Sequence, residues 1–171
     1  VWTEYATIFG TSELKPVKKA DNQDITVGTD CNNSCIMCTT LRTKEMHVKQ
    51  VMHPLNDIMH QIENLNQPKH ISITGGEPTI RNDLPHIIRL IRKKNKNSEI
   101  SLLTNGRRLY YKQYAKKLMN SGVNRFIIPI HAHCKELHDF ITRSKGSFVQ
   151  TIKGLQNLSQ LKANIQIRIV I

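Results

Sequence analysis

From residue 25 onward the chain alternates short β-branched runs with segments of helical period. This alternation constrains its fold more than any other feature. Residues 25–29, His70–Thr74, 100–104, Arg125–Ile130 and 165–171 read as strands. Between them, residues 55–65 place Leu55, Ile58, Met59, Ile62 and Leu65 on one face, with Pro54 suited to a first helical turn. Leu84–Lys94 turns Ile87, Ile88 and Ile91 inward and Arg89, Arg92 and Lys93 outward. A third helix is expected over about residues 110–120, closed by Gly122, and a fourth over about 148–161, interrupted at Gly154. Strands alternating with helices imply βαβ units and a parallel sheet with right-handed crossovers. The loops that follow the strands then share one rim, the rim that carries the active site in barrels of this kind.

The chemistry-bearing residues fall in those loops. After strand one comes Cys31-Asn32-Asn33-Ser34-Cys35-Ile36-Met37-Cys38, three thiols spaced C-x3-C-x2-C. A structural zinc site closes with four ligands, whereas a catalytic site leaves a position open. Iron–sulfur clusters usually take four cysteines. Three close thiols therefore point to a cluster whose remaining iron is left to another ligand. Free cysteines are often small buried hydrophobes, but a loop of Asn and Ser is too polar for that. A disulfide would leave one thiol over. No signal-peptide pattern is present, so reduced thiols and a cytoplasmic location are expected. After strand two comes Gly75-Gly76-Glu77-Pro78. Its glycines let the backbone approach a ligand closely, and Glu77 is suited to an ammonium group. Asn105-Gly106 follows strand three, where a turn and a ligand contact both fit. His131-Ala132-His133-Cys134, with His138 beyond, follows strand four. Imidazoles and a thiol suit zinc, but the spacing matches no common closed site. Arg168 interrupts the apolar fifth strand, either at a solvent-facing edge or aimed into the site.

The cysteine spacing after a first strand, followed one strand later by Gly-Gly-Glu-Pro, resembles the radical S-adenosylmethionine (SAM) enzymes. The resemblance covers about residues 25–171. It implies an α/β fold, a parallel partial (βα)6-type barrel, ending here after its fifth strand. It implies two cofactors, a 4Fe–4S cluster held by Cys31, Cys35 and Cys38, and SAM chelating the fourth iron. Gly75, Gly76, Glu77 and Pro78 would hold the SAM amino group. Asn105 would lie near its ribose or carboxylate, and Arg168 would face the carboxylate. Met37 stands where the family usually has an aromatic residue. Ala132 stands where a ribose-binding Ser is common, so His131 or His133 would take that contact. The expected activity is reductive cleavage of SAM to a 5′-deoxyadenosyl radical that abstracts hydrogen from a substrate. The cysteine octapeptide, then Ile128-Pro129-Ile130, Glu136-Leu137-His138-Asp139, Gly146-Ser147-Phe148, Gly154-Leu155-Gln156-Asn157-Leu158 and Ile167-Arg168-Ile169-Val170, look like maturases of the His-Xaa-Ser system. That points to a ribosomally made peptide as substrate, with flavodoxin or ferredoxin as the one-electron reductant.

Residues 1–24 read as an N-terminal extension and linker, polar over 15–24, ahead of a core over 25–171. The chain opens on Val1 and stops at its fifth strand, which reads as a piece of a longer polypeptide. No apolar run approaches the roughly 20 residues a membrane span needs. The net charge of +12 admits a nucleic-acid partner, such as an RNA that is bound or modified. The basic residues are scattered, however, and aromatics are only 5%, so the charge reads as solvated faces. A structural-metal binding module is a further alternative, though it gives Gly75-Gly76-Glu77-Pro78 no task.

Overall fold

The protein was analysed as a computed structural model, which describes residues 21–39 and 51–169. Five strands form one sheet: β1 (Asn22–Thr26), β2 (His70–Thr74), β3 (Glu99–Leu103), β4 (Arg125–Ile130) and β5 (Asn164–Ile169). They lie in the order β1-β2-β3-β4-β5, and every neighbouring pair is parallel. Such an order never reverses, so the sheet winds one way into a partial barrel wall and has no switch point. The helices among the described residues are α1 (Leu55–Glu63), α2 (Leu84–Lys94), α3 (Lys112–Ser121), α4 (Lys135–Thr142) and α5 (Ser147–Gln160). Short 3₁₀ turns occupy Pro78–Ile80 and Arg107–Tyr110.

The two faces of the sheet differ. Ile25, Ile71, Ile73, Ile100, Leu102, Phe126 and Ile128 are buried, and with Ile58, Ile87, Ile91, Leu118 and Leu158 of the helices they form the core. The intervening residues Asp24, Ser72, Thr74, Ser101 and Gln166 line a polar cavity on the other face. Period-2 alternation therefore survives in a parallel sheet, because one face meets helices and the other a polar interior.

Several expectations need correction. β1 starts at Asn22, inside the stretch read as linker, and ends at Thr26. Its polar residues alternate with buried Ile25 and so looked like a linker. Residues 1–20 of the expected extension and linker lie outside the described residues, as do the last two residues of the fifth strand. β3 begins one residue earlier than expected, at Glu99. The third helix proper begins at Lys112, after the 3₁₀ turn that contains Tyr110. Helix α4 was not expected at all. Gly154 does not interrupt α5, which runs unbroken over fourteen residues. A Cβ at Gly154 would overlap the carbonyl oxygen of Gly106. The glycine lets the helix approach the turn after β3 and does not break it.

Candidate functional site

A cavity of about 340 Å³ opens at the carboxyl ends of the strands, within the size range of small-molecule sites. Cys31, Cys35 and Cys38 line it from the loop after β1. Gly75, Gly76 and Glu77 line it from the loop after β2, Asn105 from the loop after β3, and His131 from the loop after β4. Arg168 reaches it from β5, on the face that also carries Thr74, Leu103, Ile127 and Pro129. The parallel register pairs Arg168 with Pro129, and this places its side chain on the interior side of the sheet.

The cysteine loop is held from three sides. The Ser34 and Ile36 amides donate to the carbonyls of Thr142 and Ile141 at the end of α4, at 3.0 and 2.9 Å. Arg107 donates to the Asn32 carbonyl, to Asn33 Oδ1 at 2.7 Å and to Ser144 Oγ at 3.2 Å. Asn105 Nδ2 donates to Asn32 Oδ1 at 2.7 Å. The Asn33 amide donates to the Cys31 sulfur at 3.3 Å. Cys31, Cys35 and Cys38 are half-buried free thiols. Burial pushes the Cys31 thiol up to about 11, with the Glu77, Cys35 and Cys38 charges adding to the rise. Burial also raises Cys35, and Cys38 adds to it. A cationic centre reverses this cost, since coordination deprotonates a thiol outright. Among the described residues no three His, Cys, Asp or Glu groups are arranged for a single metal ion. The three thiols line one cleft. Likewise His131, His133, Cys134 and His138 form no second single-ion site.

Glu77 is also bonded within the protein. It is 2% exposed, and its Oε1 accepts from the Thr79 amide (3.0 Å), the Thr79 hydroxyl and the Thr104 hydroxyl (2.6 Å). Its Oε2 accepts from the Asn105 amide at 2.7 Å. Burial pushes this carboxyl up, and those same donors pull it back down. The carboxylate thus ties the loop after β2 to the loop after β3, and Oε2 keeps acceptor capacity. Gly75 and Gly76 also serve the protein's own backbone. A Cβ at Gly76 would collide with the Asp30 carbonyl, and the Gly76 and Glu77 amides donate to the Gly28 and Asp30 carbonyls at 2.9 and 2.8 Å. The close approach is to the stem of the cysteine loop.

Asn105 does two jobs. Its Oδ1 accepts from the Arg107 amide at 3.0 Å, closing a turn, while its Nδ2 reaches the cysteine loop. Pro78 is buried at the first position of a 3₁₀ turn and does not line the cleft. Met37 is 45% exposed and likewise does not line it. His133 is exposed, and Cys134 precedes α4. Arg107, Thr79, Thr104 and Ser144 were not foreseen. The Arg directly after Asn105-Gly106 was the only cue, because these residues act through folded-state hydrogen bonds.

The family model described as "Radical SAM superfamily" matches residues 25–171. The chain belongs to the radical SAM superfamily, whose members use a 4Fe–4S cluster and SAM. It is 42% identical over 85 residues to a probable GTP 3′,8-cyclase of Methanococcus aeolicus, covering 48% of this chain and 27% of that protein. It is 30% identical over 152 residues to the probable GTP 3′,8-cyclase of Pyrococcus abyssi, covering 88% of this chain and 47% of that one. The chain therefore spans less than half the length of these relatives. Among solved structures, SuiB of Streptococcus suis bound to S-adenosylmethionine superposes with a TM-score of 0.66 at 18% identity, over 86% of this chain and 33% of SuiB. Native anSMEcpe with bound AdoMet and Kp18Cys peptide superposes with a TM-score of 0.63 at 21% identity, over 85% of this chain and 42% of that one. At these identities the structures speak to the fold, a partial radical SAM barrel. No helix among the described residues is long and apolar enough to cross a membrane.

Proposed function

We propose that this chain holds the cluster and SAM of a radical SAM enzyme that modifies a ribosomally made peptide. One observation carries the reading: three half-buried thiols share a cleft with the Gly75-Gly76-Glu77 loop, Asn105, His131 and Arg168. Cys31, Cys35 and Cys38 hold the cluster. The Gly75–Glu77 loop, with the spare acceptor capacity of Glu77 Oε2, faces the SAM ammonium, and Arg168 faces its carboxylate. When bound, cluster and SAM supply a one-electron cleavage of the sulfonium that yields a 5′-deoxyadenosyl radical. The chain's own residues bind, orient and keep water from the cleft. Met37 and Pro78 lie in the two loops that carry the cluster and SAM contacts.

The peptide rests on the segments around Glu136–Asp139, Gly146–Phe148 and Ile167–Ile169 that resemble the maturases. Among the described cleft residues Arg168 is the one guanidinium, and no lysine joins it. A nucleotide substrate is the second reading, favoured by the GTP 3′,8-cyclases among the sequence relatives.

Anaerobic reconstitution with iron and sulfide, then reduction with SAM, tests the chemistry through 5′-deoxyadenosine. Product that disappears in Cys35→Ala supports radical chemistry. Bound zinc with no iron–sulfur absorption would overturn it. Adding GTP separates the substrates. The peptide reading expects GTP to be recovered intact, and its conversion would move the assignment to a nucleotide.

A further inference from the structure

The net positive charge sits in the second half of the chain. Residues 84–171 carry 17 Lys and Arg against 3 Asp and Glu, whereas residues 1–83 carry 8 against 10. The three acids are Glu99, Glu136 and Asp139, and helices α2, α3 and α5 hold none. Glu99 is already engaged by Arg125 at 2.6 Å and His70 at 3.2 Å, and Asp139 accepts from the Gly146 and Phe148 amides at 2.6 and 2.9 Å. Folding then sorts the cations. Arg92 donates to the Ser98 and Gly122 carbonyls at 2.7 and 2.9 Å, and Arg107 and Arg108 hold loops. Arg89 of α2 and Lys116 and Lys117 of α3 have no carboxylate partner among the described residues. These three line a groove of about 350 Å³ between the two helices, with Gln113, Asn120 and Ser121. Arg89 donates to Ser121 Oγ at 3.4 Å, and that hydroxyl donates to the Lys117 carbonyl at 2.8 Å, so the floor is polar. Among the described residues neither an apolar nor an acidic side chain lines it.

We propose that this groove docks an acidic stretch of the peptide substrate, remote from the residue that is modified. Cations gathered without carboxylates repel one another, and an anion laid between them relieves that repulsion. A polypeptide fits the lining better than a nucleic acid does. Gln113 and Asn120 bring acceptor oxygens as well as donors. A phosphodiester linkage only accepts, whereas a polypeptide brings an N–H at each residue beside its carboxylates. No aromatic ring lines the groove for bases to stack on. The spacing agrees. Arg89 and Lys93 on α2, and Lys112 and Lys116 on α3, stand four residues apart, about 6 Å along a helix axis. Alternate residues of an extended peptide stand about 6.6–6.8 Å apart. The helix layer and the sheet separate the groove from the cleft, so the docked stretch takes no part in the radical chemistry. A path over α2 to the cleft is on the order of 30 Å, or about nine extended residues. Docking there raises the effective concentration of the reacting residue at the cleft. The inference rests on the peptide reading above, but its readout needs no turnover.

The test is fluorescence anisotropy on the cluster-loaded chain. The probe is a labelled peptide of about twelve residues with Glu at alternate positions and Ser between, compared with the same peptide carrying Gln for Glu. At about 50 mM salt the Glu peptide is expected to bind at least about tenfold more tightly than the Gln peptide, and to weaken as salt rises. The triple variant Arg89→Gln, Lys116→Gln, Lys117→Gln should lose about tenfold in affinity for the Glu peptide. Arg89→Lys with Lys116→Arg and Lys117→Arg should keep most of it. A second triple variant, Lys135→Gln, Lys145→Gln, Lys162→Gln, removes the same charge elsewhere and should lose little. Equal losses in the two Gln variants would show a diffuse field without a groove and overturn the inference. So would a wild-type chain that binds the Glu and Gln peptides alike. An oligothymidylate of equal charge that binds more tightly than the Glu peptide, and is lost in the first variant, would give the groove to nucleic acid and overturn it as well. Formation of 5′-deoxyadenosine from SAM alone should be equal in all these variants. Its absence from the wild-type chain would overturn the radical reading and leave the anisotropy result standing. Conversion of GTP would overturn the peptide as occupant together with the peptide reading, whereas loss of the Glu preference overturns the groove alone.

Discussion

Glu77 sets the chemistry of the cleft at the scale of single residues. Its carboxylate gathers four donors from Thr79, Thr104 and Asn105 while almost fully buried. Removing it leaves those donors without an acceptor, at about 1–3 kcal/mol for each group that water cannot reach. Glu77→Ala is therefore expected to keep its iron, to lose about 2–3 kcal/mol in urea unfolding, and to bind SAM at least about tenfold more weakly. Undiminished SAM affinity in that variant would remove the loop after β2 from the ligand site. Cys31 and Cys35 carry a pH dependence. Both are raised, Cys31 to about 11, so the cluster-free chain holds these protons well above neutral pH. Ligation must expel them, so iron uptake should strengthen as pH rises from about 6.5 to about 8.5. A flat uptake profile would mean that the thiols are not the ligands. The cysteine octapeptide and Gly75-Gly76-Glu77-Pro78 were legible because their chemistry is written in residue type and spacing. That Glu77 is a tie between loops was not, because Thr104 and Asn105 lie 27 and 28 residues away.

Helix α4 shows why one element escaped a periodicity argument. Its buried residues are His138 and Thr142, while Leu137 and Phe140 stand exposed at 45% and 67%. Its inward face is polar, because it serves the Ser147–Asp139 network and carries the carbonyls that grip the cysteine loop. Hydrophobic spacing therefore points the wrong way, whereas β2, β4 and α2 follow their apolar pattern and were read to the residue. The second support of the loop is Arg107, which also bonds Gln150 of α5 at 2.6 Å. Arg107→Ala is expected to fold but to take up less cluster and to lose it faster on dilution, by about tenfold, and Arg107→Lys to recover little, since one ammonium cannot replace the fork. Equal cluster retention in Arg107→Ala would show that the carbonyls of α4 suffice. At the contact of α5 with the turn after β3, Gly154→Ala forces a carbon into the Gly106 carbonyl. It should cost about 1–3 kcal/mol in urea unfolding despite the better helix propensity of Ala. A stabilised Gly154→Ala would mean that the helix shifts without penalty.

Across the whole molecule, the cleft draws one residue or more from the loop after each of β1 to β4, and Arg168 from β5 itself. The sheet is asymmetric about that cleft. Its β1–β4 wall is backed by buried Ile and Leu, whereas among the described residues β5 pairs with β4 alone and exposes Ile167 and Ile169 at 53% and 71%. A ligand spanning the cleft joins β5 to the better-packed strands. SAM at about a hundredfold excess over its dissociation constant should stabilise the cluster-loaded chain by about 2.7 kcal/mol. For a chain of this size that raises Tm by about 5–10 °C. If Arg168 faces the SAM carboxylate, the gain should be concentrated in β5, where amide hydrogen exchange over Asn164–Ile169 slows with SAM present. Arg168→Ala should abolish that local slowing and leave protection of β2 and β3 largely intact. Slowing that persists in Arg168→Ala would place SAM against the first four strands alone, and Arg168 would then be left to face the substrate.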